Sequence, residues 1–466
     1  MENENKRSTF GGSLGFILAA AGSAVGLGNI WRFPYLAAKD GGGIFLLVYI
    51  ILALTFGFAL LTTEIAIGRK TAQSPITAYK VLNPKWGWIG IAACIVPMMI
   101  LPYYSAIGGW ILKYLSAYLT GGAPSAAEAD GFFDGFITSP VEPIIWFVIF
   151  LAATTFIVYK GVNAGIERMS KVMMPILLVL IICIAVFSLT LSHTDAEGVT
   201  RTGLQGLKVY LVPNFEGMTA SKLLTVVTDA MGQLFYSISV AMGIMITYGS
   251  YVKKETNLTK SVNQIEIFDT AVAFLAGMMI IPAVYAFMGP AGLEYAGPGL
   301  MFKALPKVFD AMGGIGTVVG IAFFVMVFFA ALTSSISIME ALVASFMDKF
   351  HMDRKKATLV NALIALVVGI IVCMGYTAFY FEASFGTVAA GQILDVLDYI
   401  SNSILMPVVA IATCILVGWV VKPKTVIDEV TRNGEAFGRK SLYVAMVKYI
   451  TPVMLVILLA KSLNIL

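Results

Sequence analysis

Hydroxyl and amide side chains lie inside long apolar stretches of this chain, where a polar group needs a specific partner. They are Asn29 in the first stretch, Ser237 and Ser239 in the sixth, and Thr333 and Ser334 in the eighth. Side-chain oxygens of this kind, together with backbone carbonyls, are the ligands that hard cations such as sodium take. The same groups also form hydrogen bonds between membrane helices. The pattern therefore indicates cation coordination or helix packing.

Spacing adds information in the eighth and seventh stretches. Ala330, Thr333 and Ser334 fall at positions i, i+3 and i+4, so they share one helix face. That face is either an oxygen site for sodium or a set of hydroxyls bonded to neighbouring helices or to their own backbone. Asp269 is a carboxylate within the seventh stretch, where an unpaired charge is costly. We therefore predict a functional role for Asp269.

The composition identifies the elements that must position these groups. The chain has 466 residues, of which 59% are hydrophobic and 12% are charged, and its mean hydropathy is +0.87. Soluble domains carry roughly 25% charged residues, so this chain cannot cover a water-soluble globule with polar surface. We predict a polytopic membrane protein embedded in a lipid bilayer, which excludes a soluble enzyme and a nucleic-acid-binding protein.

Enzymatic chemistry is not expected from the remaining reactive residues. The four cysteines lie singly in apolar stretches, which is typical of small buried side chains rather than of a disulfide or metal site. The two histidines, His193 and His351, lie in polar connections. Residues 11–15 match the GxSxG pattern of serine hydrolases, but no strand precedes them and no histidine partner is near. We predict that the protein is not an enzyme.

Eleven membrane-spanning helices are predicted from apolar windows of about 20 residues. Lys and Arg favour alternate connections by about three to one, which predicts a cytoplasmic N-terminus and an extracellular C-terminus. We expect a multi-pass protein of the cell (inner) membrane. The predicted spans are 13–37, 42–67, 87–119, 143–159, 166–190, 223–250, 261–288, 317–346, 357–375, 393–420 and 441–464.

Two of these spans should be interrupted near their middle. The first contains Gly22, Gly26 and Gly28, followed by Asn29 and Pro34, and the sixth contains serines and a glycine at its midpoint. Gly22 and Gly26 also fit a GxxxG helix-packing face, which remains the alternative. Interrupted helices five spans apart are typical of transporters built from inverted repeats. We predict an all-α fold in one domain (1–466), with repeats at 13–190 and 223–420 and an extra helix at 441–464.

Several motifs occur together in one order along the chain. They are the segment 24–35 (AVGLGNIWRFPY), Gly41-Gly42-Gly43, Glu64 with Gly68-Arg69, Gly165-Ile166-Glu167-Arg168, and Leu332-Thr333-Ser334-Ser335. In these motifs the chain resembles the neurotransmitter:sodium symporter family, and its short connections resemble the bacterial eleven-helix branch. The resemblance implies a 5+5 inverted-repeat fold with discontinuous helices 1 and 6 and an additional C-terminal helix.

The resemblance also implies two sodium sites. The first would use the Ala24 carbonyl with Asn29, Ser237 and Asp269. The second would use the carbonyls of Gly22, Val25 and Ala330 with the hydroxyls of Thr333 and Ser334. The positions that match the family's chloride site are Tyr49, Gln233, Ser237 and Ala273. Because Ala273 has no hydroxyl and Asp269 replaces the more common Asn, we expect the carboxylate to stand in for chloride.

A substrate site and two gates follow from the same resemblance. The outer gate would pair Arg32 with Asp398, and the inner gate would use Arg7, Tyr251 and Asp348. Gly26 stands where amine-carrying relatives have Asp, which favours amino acids over monoamines. The implied side-chain pocket is apolar and uncharged, so we expect a neutral amino acid of small to mid-sized aliphatic type. The implied function is sodium-coupled symport by alternating access, with an uncoupled facilitator or channel of the same fold as the alternative. The implied substrate residues are Ala24, Leu27, Gly28, Ile100, Tyr104, Tyr236, Ser237, Ser239, Met242, Ser334, Ser335 and Ile338.

Overall fold

Helices form nearly all of the regular structure in a computed structural model that describes residues 8–127, 130–386 and 388–465. Within these ranges, nine helices are long and apolar enough to cross a bilayer. A tenth candidate is a pair of short helices, Ser13–Ala24 and Gly28–Lys39, that meet at a bend of 52°. Many large apolar side chains on these helices are exposed, as lipid-facing surfaces require.

The helices and strands are numbered here in chain order. In the first half they are α1 Ser13–Ala24, α2 Gly28–Lys39, α3 Gly43–Thr71, α4 Pro75–Leu82, α5 Pro84–Leu119, α6 Ala123–Ala127, α7 Asp130–Ile137, α8 Glu142–Tyr159, α9 Val162–Leu189, β1 Ser192–Thr194, β2 Thr200–Thr202 and α10 Gly203–Leu211. In the second half they are α11 Ala220–Ser237, α12 Ile244–Ser250, α13 Leu258–Gly292, α14 297–311, α15 Gly314–Phe350, α16 Arg354–Met374, β3 Ala383–Phe385, β4 Val388–Gly391, α17 Ile393–Val420, α18 Lys424–Val430 and α19 Lys440–Ser462.

Eleven membrane helices are predicted, and ten of them correspond to the nine long helices and the bent pair among the described residues. The sixth predicted span is the one that does not qualify. It consists of α11 and α12, which residues 238–243 separate. α12 has only seven residues, and the first turn of α11 contains the polar Ser221 and Lys222, so neither helix resembles a complete span. The predicted interruption therefore lies where the sequence placed it.

Small strands occur in the connections, which departs from a strictly all-α expectation. β1 pairs antiparallel with β2, and β3 pairs antiparallel with β4. In the first hairpin, the Asp195 carboxylate accepts hydrogen bonds from the Val199 amide and the Arg201 guanidinium. These donors hold the pKa of Asp195 below its usual value. Both hairpins lie outside the predicted spans, where water can satisfy their edges.

Backbones of α3 and α12 touch without side chains between them. A Cβ atom at Gly68 would lie 2.0 Å from the Ile246 carbonyl oxygen, and one at Gly249 would lie 2.4 Å from the Ile65 carbonyl oxygen. Real Cβ atoms do not approach backbone so closely, so both positions require glycine. This reciprocal contact fixes the second half of the sixth span against α3.

We predict that Gly68→Ala destabilises the protein by about 1–3 kcal/mol, because the added methyl group must displace rigid backbone. Thermal unfolding in detergent, followed by the loss of monodisperse protein, measures the change. Gly131→Ala is the matched control, since a Cβ atom at Gly131 in α7 meets nothing within 4 Å. Equal melting temperatures for the two variants would contradict the prediction.

Candidate ion- and substrate-binding site

The first interruption separates α1 from α2 at residues 25–27. Val25 has extended backbone angles (φ −73°, ψ 95°), although its amide still donates to the Ala21 carbonyl. The freed Gly26 amide donates to the Asn29 side-chain oxygen at 3.1 Å, and the Asn29 amide donates to the Gly26 carbonyl at 3.2 Å. Asn29 therefore satisfies backbone that the helix no longer pairs.

The second interruption, at residues 238–243, has an unusual backbone. Ser239, Ala241 and Gly243 all have positive φ angles, of 53°, 62° and 77°. Side chains disfavour this region, so the two non-glycine residues must be held there by their surroundings. The Ala241 amide donates to the Glu64 carboxylate of α3 at 2.6 Å, and both groups are buried. Glu64 thus braces the interruption from the neighbouring helix.

A buried cluster of polar side chains surrounds Asp269 where the two interruptions meet α13. Asn29 donates to the Asp269 carboxylate at 2.9 Å, and the Ser237 hydroxyl donates to the same oxygen at 2.8 Å. Tyr49 donates to the other oxygen at 3.5 Å. Asn29 and Ser237 are themselves 3.2 Å apart. The three predicted side-chain ligands of the first ion site therefore lie together.

The predicted chloride positions lie at this cluster as well. Ser237 and Tyr49 direct their hydroxyls to the Asp269 carboxylate. Gln233 donates to the Gly28 carbonyl at 3.0 Å, and its own side-chain oxygen has no partner among the described residues. Ala273 is fully buried on the same helix as Asp269. Two of the four positions thus already serve a fixed carboxylate.

The five residues of the second predicted ion site converge where α15 crosses the end of α1. The Ser334 hydroxyl lies 3.5 Å from the Gly22 carbonyl oxygen, 3.1 Å from that of Ser23 and 3.4 Å from that of Val25. Thr333 bonds back to Ala330 within its own helix at 3.1 Å. The Thr333 hydroxyl therefore bonds to its own helix, as the alternative interpretation expects. Oxygen atoms of α1 and α15 nevertheless lie together at this point.

A narrow cavity lies between the Asp269 cluster and the second predicted ion site. Eleven of the twelve predicted substrate residues line it. The exception is Ser335, whose hydroxyl lies 3.0 Å from Thr154 and points to α8 rather than into the cavity. The buried Tyr104 hydroxyl has no hydrogen-bond partner among the described residues, although it lines the cavity. The full lining is Ser23, Ala24, Gly26, Leu27, Gly28, Asn29, Ile100, Tyr104, Tyr236, Ser237, Ser239, Met242, Ser334 and Ile338.

Ser23 and Gly26 belong to the lining, although neither is among the twelve predicted substrate residues. Ser23 donates to the Ser239 hydroxyl at 3.1 Å, which joins the two interruptions directly. A Cβ atom at Gly26 would lie 3.0 Å from the Ser334 hydroxyl and 3.3 Å from that of Tyr104. Their positions within two residues of Ala24, one on each side of it, were the available signal.

On the predicted outer side, a second cavity lies above the first and is lined by Arg32 and Asp398, among others. Asp398 accepts hydrogen bonds from Tyr103 at 3.0 Å and Asn402 at 2.6 Å. Arg32 is exposed, and among the described residues it makes no ion pair with Asp398. The two predicted gate residues face one cavity without contact.

On the predicted inner side, one buried charge contact involves two residues that were not predicted, Glu340 and Arg354. Glu340 is fully buried and pairs with Arg354, with both guanidinium contacts at 2.7 Å, while the Tyr251 hydroxyl donates to it at 2.6 Å. Asp348 accepts from the Ser74 amide at 2.6 Å. Arg7 lies outside the described residues. A carboxylate within an apolar span was the signal for Glu340.

Comparison with known proteins identifies the family of this chain. The profile of the sodium:neurotransmitter symporter family matches residues 7–129 and 137–466. The chain belongs to this family. Members of this family are transporters rather than enzymes. The function of this multi-pass membrane protein is therefore sodium-dependent transport.

Individual members cover nearly the whole chain. The sodium-dependent transporter YhdH of Bacillus subtilis (strain 168) is 35% identical over 474 residues, which cover 100% of this chain and 99% of YhdH. The human sodium- and chloride-dependent GABA transporter 2 is 26% identical, over 91% of this chain and 75% of its own length. The crystal structure of MhsT in complex with L-phenylalanine superposes with a TM-score of 0.84 and 36% identity, over 98% of this chain and 100% of MhsT. This likeness confirms the predicted fold class.

We predict that Glu340→Gln costs about 3 kcal/mol of stability, because it leaves the mostly buried Arg354 guanidinium without a counter-charge. The loss should appear as a lower melting temperature in detergent. Asp428→Asn is the control, since the Lys424–Asp428 pair is exposed, with 79% and 53% of the two side chains accessible. Removing that pair should change stability by less than about 0.5 kcal/mol. A smaller loss for Glu340→Gln than for the control would contradict the structural role of Glu340.

Proposed function

We propose that the protein is a symporter that couples the uptake of neutral amino acids to two sodium ions and does not require chloride. The observation that carries this proposal is the convergence, around one narrow cavity, of oxygen atoms from both interrupted helices and from α13 and α15. Sodium is a co-transported substrate in this mechanism. Within the cell (inner) membrane, the N-terminus would lie in the cytoplasm and the C-terminus outside.

The first sodium ion would bind the Ala24 carbonyl, Asn29, Ser237 and Asp269, next to the substrate. The second would bind the carbonyls of Gly22, Val25 and Ala330 and the hydroxyls of Thr333 and Ser334. Because each site draws ligands from an interrupted helix and from a continuous one, an ion holds the two parts together. Two charges that cross a membrane potential of 100 mV supply about 4.6 kcal/mol for accumulation.

The substrate's carboxylate would meet the first sodium ion, the Leu27 and Gly28 amides and the Tyr104 hydroxyl. The unpaired, buried Tyr104 hydroxyl supports this assignment, because a buried donor without a partner is costly until a ligand accepts from it. The backbone carbonyl groups of Ala24, Tyr236 and Ser237, together with the Ser239 hydroxyl, would bind the substrate's ammonium group. The complex of MhsT with L-phenylalanine supports an amino acid as the substrate class.

The remaining lining is apolar and uncharged, which favours neutral side chains. Ile100, Tyr236, Met242 and Ile338 surround the space beyond the polar groups. An amine substrate that lacks a carboxyl group would need a carboxylate from the protein. Gly26 has no side chain to supply one, which argues against monoamines. Small to mid-sized aliphatic amino acids are therefore the proposed substrates, and the aromatic ligand of MhsT makes phenylalanine the informative competitor.

Uptake into proteoliposomes tests the function. With an inward sodium gradient, we expect neutral amino acids to accumulate above equilibrium, and with potassium alone we expect no accumulation. Tyr104→Phe should raise the KM for the substrate by about 10-fold or more, because a hydrogen bond to a charged group is lost. Flux that only equilibrates, with or without sodium, would identify an uncoupled facilitator or channel.

Chloride independence follows from Asp269. Its carboxylate receives the Ser237 and Tyr49 hydroxyls and so supplies the negative charge beside the first ion site. We predict that replacing chloride with gluconate leaves wild-type uptake unchanged. Asp269→Asn should reduce uptake at least tenfold in gluconate, and chloride should restore part of it in the double variant Asp269→Asn/Ala273→Ser. A wild-type rate that falls in gluconate would overturn this part of the proposal.

A further inference from the structure

The last helix forms one wall of the outer cavity, although it lies outside the two predicted repeats. Leu458 and Ser462 of α19 line this cavity together with Arg32 of α2 and Gly232 of α11. A Cβ atom at Gly232 would lie 3.4 Å from the Leu458 side chain and 3.7 Å from the Arg32 guanidinium. Any widening of this cavity between α11 and α19 must therefore change a direct contact of the last helix.

A cluster of charges joins the same three helices at the rim of the cavity. Asp229 of α11 receives Lys461 of α19 on one carboxylate oxygen at 2.8 Å and Lys39 of α2 on the other at 3.2 Å. Lys461 also donates to the Thr228 hydroxyl at 2.5 Å. One carboxylate thus binds two cations from two different helices, so moving either helix away breaks a contact.

The opposite side of α19 is tied to α17. The Tyr399 hydroxyl donates to the Ser462 carbonyl at 2.8 Å, one residue after Lys461. Neighbouring residues at the end of α19 therefore bind α17 on one side and α11 on the other. The predicted gate pair, Arg32 and Asp398, is not in contact in this conformation. The charge contact that joins α19 to the outer ends of α2 and α11 is the one at Asp229.

We propose that Lys39, Asp229 and Lys461 form an outer latch that holds the outer halves of both interrupted helices against the last helix. This inference rests on the proposed function in one respect: it requires that the outer cavity opens and closes, as alternating access implies. The latch is closed when α2 and α11 pack against α19, and it opens when the outer cavity widens to admit substrate. Its strength sets the fraction of molecules whose outer cavity is open.

The adjacent charges are consistent with this role. Asp40 is fully buried at the end of α2 and pairs with Lys222 of α11 at 3.3 Å, so these two helices are also joined to each other. They can therefore move as a pair. The side chains of Lys39 and Lys461 remain 41% and 32% accessible, which makes the latch weak enough to open during each cycle and sensitive to ionic strength.

Cysteine accessibility tests the latch in the full-length chain. Ile107→Cys places a thiol in the outer cavity, and Cys183→Ala removes the native cysteine that is exposed. In this background, Lys461→Met should increase the rate of reaction with a membrane-impermeant thiol reagent by about fivefold in sodium-free buffer. Lys303→Met is the matched control, because Lys303 of α14 pairs with Asp134 of α7 at 2.9 Å on the same predicted side, and neither residue belongs to an interrupted helix. Its rate should equal that of the background.

A double-mutant cycle completes the test. Asp229→Asn should increase the rate as Lys461→Met does, and the double variant should react no faster than the faster single variant, because both remove the same contact. If Asp229→Asn does not fold, Thr228→Val replaces it, because it also removes a contact of Lys461. Equal rates for Lys461→Met and Lys303→Met, or additive effects within the cycle, would overturn the latch. Because the assay needs no substrate, failure of amino acid uptake would leave its result intact.

Discussion

Backbone groups that leave a helix within a bilayer have no water to bind, and the architecture of this protein depends on that constraint. At both interruptions a side chain replaces the missing partner of an amide: Asn29 for Gly26, and Glu64 for Ala241. The carbonyl groups released at the same places have fewer donors available. They concentrate negative potential at the ends of half-helices, which is where a cation is bound most favourably. The interruptions would therefore supply ligands of the proposed ion sites themselves.

Much of this arrangement could be predicted from the sequence, because it depends on local patterns. Apolar length gave the spans, glycine and serine content gave the interruptions, and helical spacing placed Thr333 and Ser334 on one face. Ser335 illustrates the limit of the argument. It follows Ser334 directly, so it is turned by about 100° around the helix and bonds to Thr154 instead. A motif that names consecutive residues does not say which of them faces the cavity.

Contacts between distant charges could not be predicted in the same way. The family pattern pairs Arg32 with Asp398, whereas in this conformation Asp398 accepts hydrogen bonds from Tyr103 and Asn402. Glu340 was recognisable as a costly carboxylate, but nothing local identifies Arg354 as its partner. Such pairs depend on how helices pack in three dimensions, and in a transporter they also depend on which conformation is present.

The glycine contact between α3 and α12 has a mechanical consequence. Two backbones in van der Waals contact have no flexible side chains to absorb a displacement, so they must translate and rotate together as one rigid body. The soft point of the sixth span is then the six-residue segment 238–243, rather than the α3–α12 interface. Motion of α12, the half-helix on the predicted inner side, is thereby transmitted to α3. The pivot lies beside the cavity that Ser239 and Met242 line, where Glu64 accepts a hydrogen bond from the Ala241 amide.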